Sequence, residues 1–158
     1  MRTAAYVVAG LVALAGLLGL SFVVSMRRGY RPARRLILRL IREVFNPRQM
    51  RTAGTPGAYA SVVHHVGRVS GTAYETPVVA ARTDAGFVIA LPYGTGTDWA
   101  RNVLAAGSAV IAHHGTLTEV TQPEVVPLST AGPHFAPSER RSHRLFGVDR
   151  ALFLSSVR

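Results

Sequence analysis

Two stretches of the chain combine residue types with the spacing that ligand binding needs. Gly67-Arg68-Val69-Ser70-Gly71-Thr72 runs from the end of a strand into a turn at Val69-Ser70-Gly71-Thr72. Its Arg68 guanidinium, Ser70 hydroxyl and the backbone N–H groups of Gly71 and Thr72 can hold a phosphate by charge-assisted hydrogen bonds. Tyr93-Gly94-Thr95-Gly96-Thr97 is the second stretch. Glycines 94 and 96 let backbone approach a flat ring closely, and a helix start at Thr97 favours an anion. Each has a plainer reading. An arginine at a hairpin is often only solvated, and loop glycines commonly serve the turn alone.

Other chemistries are excluded or poorly served. Of the 158 residues none is cysteine, and all 18 basic residues are arginine. Disulfides, thiolate metal sites, cysteine nucleophiles and Schiff-base lysines are therefore ruled out. Arginine in place of lysine also suggests a GC-rich genome. No Ser-His-Asp triad or carboxylate pair stands out. The pairs His64-His65 and His113-His114 invite a metal reading. Neighbours on a strand point to opposite faces, so each pair offers one ligand per face, and no metal site is expected.

The elements that must position these residues follow from pattern and punctuation. Tyr59 to Arg68 and Ala73 to Arg82 read as strands around a turn at Val69-Thr72. Asp84-Ala85-Gly86 is a hairpin turn into a strand over Phe87 to Pro92. Trp99 to Ala106 reads as a helix, capped by Thr97 or Asp98 and stopped by Gly107. Strands resume over Ser108 to His114 and Leu117 to Leu128, with a hairpin at His114-Gly115. Pro137 to Leu145 is a short helix and Val148 to Val157 a closing strand. Five or six strands with one inserted helix predict a mainly β domain, a small barrel. There is no internal repeat.

The N-terminal third has a different character. Ala4 to Met26 is 23 residues without a charge. As a helix it is about 34 Å long, against roughly 30 Å of bilayer hydrocarbon, and Met26-Arg27-Arg28 offers no signal-peptidase site. Arg2 alone precedes the span, while Arg27, Arg28, Arg31, Arg34 and Arg35 follow it. That asymmetry predicts a single-pass cell-membrane protein with its C-terminal domain in the cytoplasm. Arg31 to Phe45 reads as a basic amphipathic helix ended by Asn46-Pro47. Its apolar face is expected either to lie on anionic headgroups or to pack on the domain. Residues 1–51 hold ten arginines and one acid, and residues 52–158 hold eight arginines and seven acids. Of the net charge of +10, all but one unit thus belongs to the membrane-proximal segment, and no nucleic acid is expected as a partner. The expected organisation is residues 1–28 as anchor, 29–57 as basic helix and linker, and 58–158 as the barrel.

The run Gly67-Arg68-Val69-Ser70-Gly71 with Thr76-Pro77 resembles the GR-x-SG…TP signature of the deazaflavin-dependent nitroreductases. Ala90-Leu91-Pro92-Tyr93-Gly94-Thr95-Gly96 followed by Asp98-Trp99-x-x-Asn102 is similar to that family's glycine loop and W-x-x-N helix. Phe45-Asn46-Pro47 and Phe153-Leu154 resemble its flanking pieces, so the likeness covers about residues 45–158. It implies a split β-barrel of the FMN-binding, pyridoxamine-phosphate-oxidase-like type. It also implies coenzyme F420, a deazaflavin with a phosphate and an acidic tail, with FMN (or haem) as the fold-level alternative. The cofactor-binding residues it implies are Arg68, Ser70, Gly71, Thr72, Tyr74, Thr76, Pro77, Tyr93, Gly94, Thr95, Trp99 and Asn102. Tyr93 and Trp99 would flank the ring and Asn102 would fix the loop, although Trp99 on such a helix also suits a core position. The implied activity is hydride transfer from reduced F420 to a quinone or nitro-aromatic acceptor, which needs a dry, oriented pocket and no protein nucleophile. Val69 and Tyr74 stand where the family usually has basic residues. They carry the alternative, a non-catalytic membrane-associated barrel that serves as a binding or interaction module.

Overall fold

The structure, a computed structural model, describes residues 16–17, 19–24, 27 and 39–157. The expected span over 4–26 and the first half of the basic helix therefore lie largely outside the described residues. Among those described, no helix is long and apolar enough to cross a membrane. The described N-terminal residues are helical and reach the domain: Phe22 meets Phe146 edge to face at 5.8 Å between ring centroids.

Proline was expected to end the next helix at Asn46-Pro47, and it does not. Ile41–Phe45 is wound as a π-helix, and its Asn46 N–H reaches back to Ile41 O. Asn46–Gln49 (α1) continues from it with proline in the first turn. The wider turn and the first-turn position remove the two objections to proline, the missing donor and the ring clash.

Seven strands follow: β1 Ser61–Val66, β2 Ala73–Val78, β3 Ala80–Arg82, β4 Gly86–Ala90, β5 Ser108–His113, β6 Thr116–Pro127 and β7 Arg150–Ser156. Between them lie α2 Asp98–Ala106, α3 Leu128–Ala131, a 3-10 turn at Gly132–His134 and α4 Pro137–Phe146. The strands form one antiparallel sheet in the order β2-β1-β5-β6-β7-β4-β3. Residues 73–82 were expected to make one strand, but Val79 interrupts it. Ala73–Val78 pairs with β1 at one end of the sheet and Ala80–Arg82 with β4 at the other. The two ends of the sheet are thus joined through a single residue, and the sheet curls into a split barrel.

The curl has a second source in β6. Gln122 has φ 52° and the register slips between Thr121 and Glu124, around Pro123. This bulge bends the strand so that its first half pairs with β5 and its second half with β7. The His114-Gly115 hairpin has φ 49° and 85°, the two positive values a tight two-residue turn requires. Because His114 lies in that turn, strand alternation fails for His113-His114, and their rings meet at 4.1 Å.

Strand alternation explains two apolar layers. Phe87, Ile89, Ile111, Val120, Leu152 and Leu154 fill the main core, with Ala100 and Val103 of α2 packed on them. Val88 and Ala151, one residue out of phase, pack instead with Ala131 and Phe135. β4 and β7 are therefore covered on both faces, which is why Phe87-Val88-Ile89 is an unbroken apolar run.

Candidate functional site

The turn between β1 and β2 is held from outside by α2. Asn102, only 5% exposed, accepts hydrogen bonds at Oδ1 from the Arg68 backbone N–H (3.2 Å) and from Arg68 Nη1 (2.8 Å). Its amide nitrogen donates to His65 Nδ1 at 3.2 Å. An amide NH2 only donates, so His65 carries its proton on Nε2 and donates to Thr76 Oγ1 at 3.1 Å. Arg68 also pairs with Asp98 at 3.3 Å. Asn102 was expected to fix the glycine loop; its side chain instead holds the Arg68 turn.

Within that turn the donors are committed to the chain itself. Gly71 N–H donates to Gly67 O at 2.8 Å, and Thr72 N–H to Ser70 Oγ at 3.3 Å. Tyr74 stacks on His65 at 5.8 Å, with its hydroxyl 3.4 Å from Ser70 Oγ. Val69 at the tip is 91% exposed.

A cavity of about 630 Å³ lies beside the start of α2, where Thr97 and Trp99 line it. That volume suits a small-molecule or cofactor ring. Pro77, Tyr93, Gly94 and Trp99 line it. Arg68, Ser70, Gly71, Thr72, Tyr74, Thr76, Thr95 and Asn102 do not. The structure thus divides the sequence-derived residues into two groups, four on the cavity wall and eight away from it. Gly94, at φ 68°, closes a tight turn on Leu91 O at 2.8 Å, and this turn presents Tyr93 to the cavity. Burial pushes the Tyr93 hydroxyl above its ordinary pKa of 10.0, keeping it neutral. Trp99 packs against the main core as well as lining the cavity.

The remaining walls were not legible as a site. Phe22, Leu40, Ile41 and Phe45 supply an apolar side from the N-terminal segment. Helix α4 supplies Ser138, Glu139, Ser142 and His143. Positions 138, 139, 142 and 143 share one helical face, a spacing that is visible in the sequence but reads there as a solvated surface. Glu139 Oε2 accepts from the Ala136 backbone N–H at 2.8 Å, closing the first turn of α4, and also bonds Tyr59. Ser142 donates to Ser138 O at 3.2 Å.

Thr97 sits at the N-cap of α2 with extended backbone, φ −70° and ψ 146°, yet makes no side-chain capping bond. Among the described residues, Thr97 Oγ1 and His143 Nδ1 are the buried side-chain polar atoms without a hydrogen-bond partner. Both residues line the cavity.

Burial lowers the pKa of His65, His113 and His143 below the ordinary 6.5, with nearby charge secondary in each. Each imidazole then binds a proton less tightly folded than unfolded, so unfolding takes up protons as the pH falls through 6.5 toward the lower folded values. The thermal midpoint of the full chain is accordingly expected to be lower at about pH 5.5 than at about pH 7.5. A midpoint that rose on acidification would show that these rings gain charge partners on folding.

No family model and no curated protein matches the chain. Solved structures similar to it include a domain-swapped dimer, at 13% identity over 61% of this chain and 80% of that one, with a TM-score of 0.45. Another is an F420 reductase, at 14% identity over 68% and 92%, with a TM-score of 0.45. A third is the protein Atu2129, of unknown function, from Agrobacterium tumefaciens, at 16% identity over 62% and 48%, with a TM-score of 0.41. At these identities and scores the likeness carries no statement about activity, and the split barrel rests on the strand order itself.

Proposed function

We propose that the chain is a membrane-anchored oxidoreductase of the deazaflavin-dependent nitroreductase type, passing a hydride from reduced coenzyme F420 to a quinone or nitro-aromatic acceptor. The observation that carries this reading is the cavity. It is lined from both sequence blocks that resemble the family, by Pro77 of the first and Tyr93, Gly94 and Trp99 of the second.

The cavity walls fit the ring of such a cofactor. Pro77, Ile89, Leu91 and Trp99 offer apolar faces, with Tyr93 beside them. Bound there, the reduced deazaflavin supplies the hydride; the chain supplies orientation and a water-poor surrounding. The phosphate fits less well. Arg68 would have to be shared with Asp98 and Asn102, and the Gly71 and Thr72 N–H groups already donate within the turn. The uncharged run over 4–26 and the arginines after it place the domain at the cytoplasmic face of the cell membrane in this reading. A lipid-dissolved acceptor would then be within reach.

The test is a fluorescence titration of the full chain in detergent micelles with F420, with FMN as control. Saturable binding selective for F420 is expected. Arg68→Ala is expected to weaken it by about tenfold, the worth of one charge-assisted hydrogen bond. Unchanged affinity in that variant would remove Arg68 from the site. Absence of binding to the folded chain would leave the second reading, a non-catalytic membrane-associated module, which the internally satisfied turn and exposed Val69 favour.

A further inference from the structure

The cavity is open to the outside, and its N-terminal side is both apolar and accessible. Phe22, Leu40 and Phe45 line it, yet they stay 40%, 45% and 58% exposed. Large apolar side chains exposed singly are ordinary, but three around one cavity form a patch that marks a binding surface. Phe22 belongs to the uncharged run over 4–26. Two contacts hold this segment on α4. One is the edge-to-face meeting of Phe22 with Phe146. The other is Arg27 over Gly147, its Cγ 3.3 Å from where a side-chain carbon there would sit. The segment proposed as the anchor is therefore itself a wall of the cavity.

The chemistry of an occupant follows from the lining. Val78, Val79, Ile89 and Leu91 continue the apolar surface from the sheet. Among the described lining residues Glu139 carries the formal charge, and it already accepts from the Ala136 N–H and bonds Tyr59. None of the described lining residues is an arginine, so a carboxylate or phosphate gains no cationic partner inside. The arginines stand outside instead. Arg39 and Arg42 share a helical stretch with Leu40 and Ile41, and their side chains are 71% and 75% exposed. An amphiphile with a hydrocarbon chain and a phosphate headgroup matches that division.

We propose that the cavity opens sideways to the bilayer and takes up an acyl chain of a membrane phospholipid, whose headgroup stays at the surface. The inference rests on the anchor in the proposed function and not on its cofactor. For the chain the transfer is close to neutral, since it leaves one apolar surrounding for another. Phe22, Leu40 and Phe45 lose their contact with water, which favours the filled cavity.

The full chain is reconstituted in phosphatidylcholine vesicles, and its retention after an alkaline carbonate wash reads the anchor. Trp99, the single tryptophan of the chain, lines the cavity and reads its occupant. The vesicle lipid is brominated either near the headgroup end of its chains or near the methyl end, and the two losses of Trp99 fluorescence are compared. A domain resting on the surface is quenched mainly by headgroup-end bromines. A chain drawn into the cavity brings its methyl end to Trp99, so methyl-end bromines are expected to quench at least as strongly. Phe45→Glu is expected to remove most of the methyl-end quenching, and Leu40→Gln to reduce it. If Phe45→Glu fails to fold, Leu40→Gln decides. Leu117→Glu, exposed at the start of β6, should leave the quenching unchanged. A retained chain quenched mainly by headgroup-end bromines, or methyl-end quenching that survives the deciding variant, would overturn the inference and leave the anchor standing. A chain washed off the vesicles would overturn the anchor and the inference with it.

Discussion

Replacing Gly86 with alanine is expected to destabilise the domain by about 3 kcal/mol, the upper range for forcing volume into a packed site. Gly86 pairs with Ser155 across the β4–β7 ladder. An added methyl would land on the Leu154 carbonyl oxygen and press on the Ser156 backbone nitrogen. Both are backbone atoms of a strand paired on its two sides, so neither can swing away as a flexible side chain would. Gly86 also accepts from the Thr83 N–H at 2.8 Å and donates to Thr83 Oγ1 at 3.0 Å, which fixes the hairpin that delivers β3 to the sheet. The substitution therefore strikes the ladder that joins β4, and β3 beyond it, to the rest of the sheet. Urea unfolding of the full chain in micelles, followed by Trp99 fluorescence, measures it. A midpoint within experimental error of the parent would mean that the β4–β7 ladder can separate locally.

That hairpin was legible in the sequence, and the closure it serves was not. Asp84-Ala85-Gly86 announces a turn because the signal is local: a small flexible residue between two apolar runs. The same holds for Gly107, which ends α2 at φ 72°, and for His114-Gly115. The break at Val79 has no such signature. Val78, Val79 and Ala80 all suit a strand, and only pairing with β1 on one side and β4 on the other splits the run. Pairings of this kind are decided by distant segments, which periodicity does not see.

The site divides in the same way. Pro77, Tyr93, Gly94 and Trp99, singled out through the glycine loop and the family resemblance, line the cavity. Helix α4 was expected, but its part in the cavity wall was missed because Ser138, Glu139, Ser142 and His143 are the residues of an ordinary wet surface, and only the fold brings them to the cavity. Thr97 was read as a cap because its backbone position demanded one. Its position was right, and the use of its hydroxyl was not.

Asn102→Leu carries the other large effect, an expected loss of about 3 kcal/mol, because one side chain satisfies three buried or half-buried groups at once. Leucine would fit the volume, yet it would leave the Arg68 backbone N–H, Arg68 Nη1 and His65 Nδ1 without their partner. Arg68 retains Asp98, but that pair is mostly exposed on the aspartate side and offsets little. His65 is 7% exposed and its Nδ1 has no second donor among the described residues, so the deficit falls there. Asn102→Asp separates the two halves of the network. Its carboxylate still accepts from Arg68 but faces His65 Nδ1 with an acceptor, which favours the protonated ring and raises the His65 pKa. Stability from that new pair is present at low pH and is lost as pH rises through the raised folded value. Asn102→Asp should therefore approach the parent at about pH 5.5 and fall away from it at about pH 8, whereas Asn102→Leu should stay low at both. Urea midpoints of the three proteins at the two pH values decide the matter. If the Asn102→Asp deficit were equal at both, His65 would not be the partner that makes Asn102 indispensable, and the stability would lie with the Arg68 turn alone.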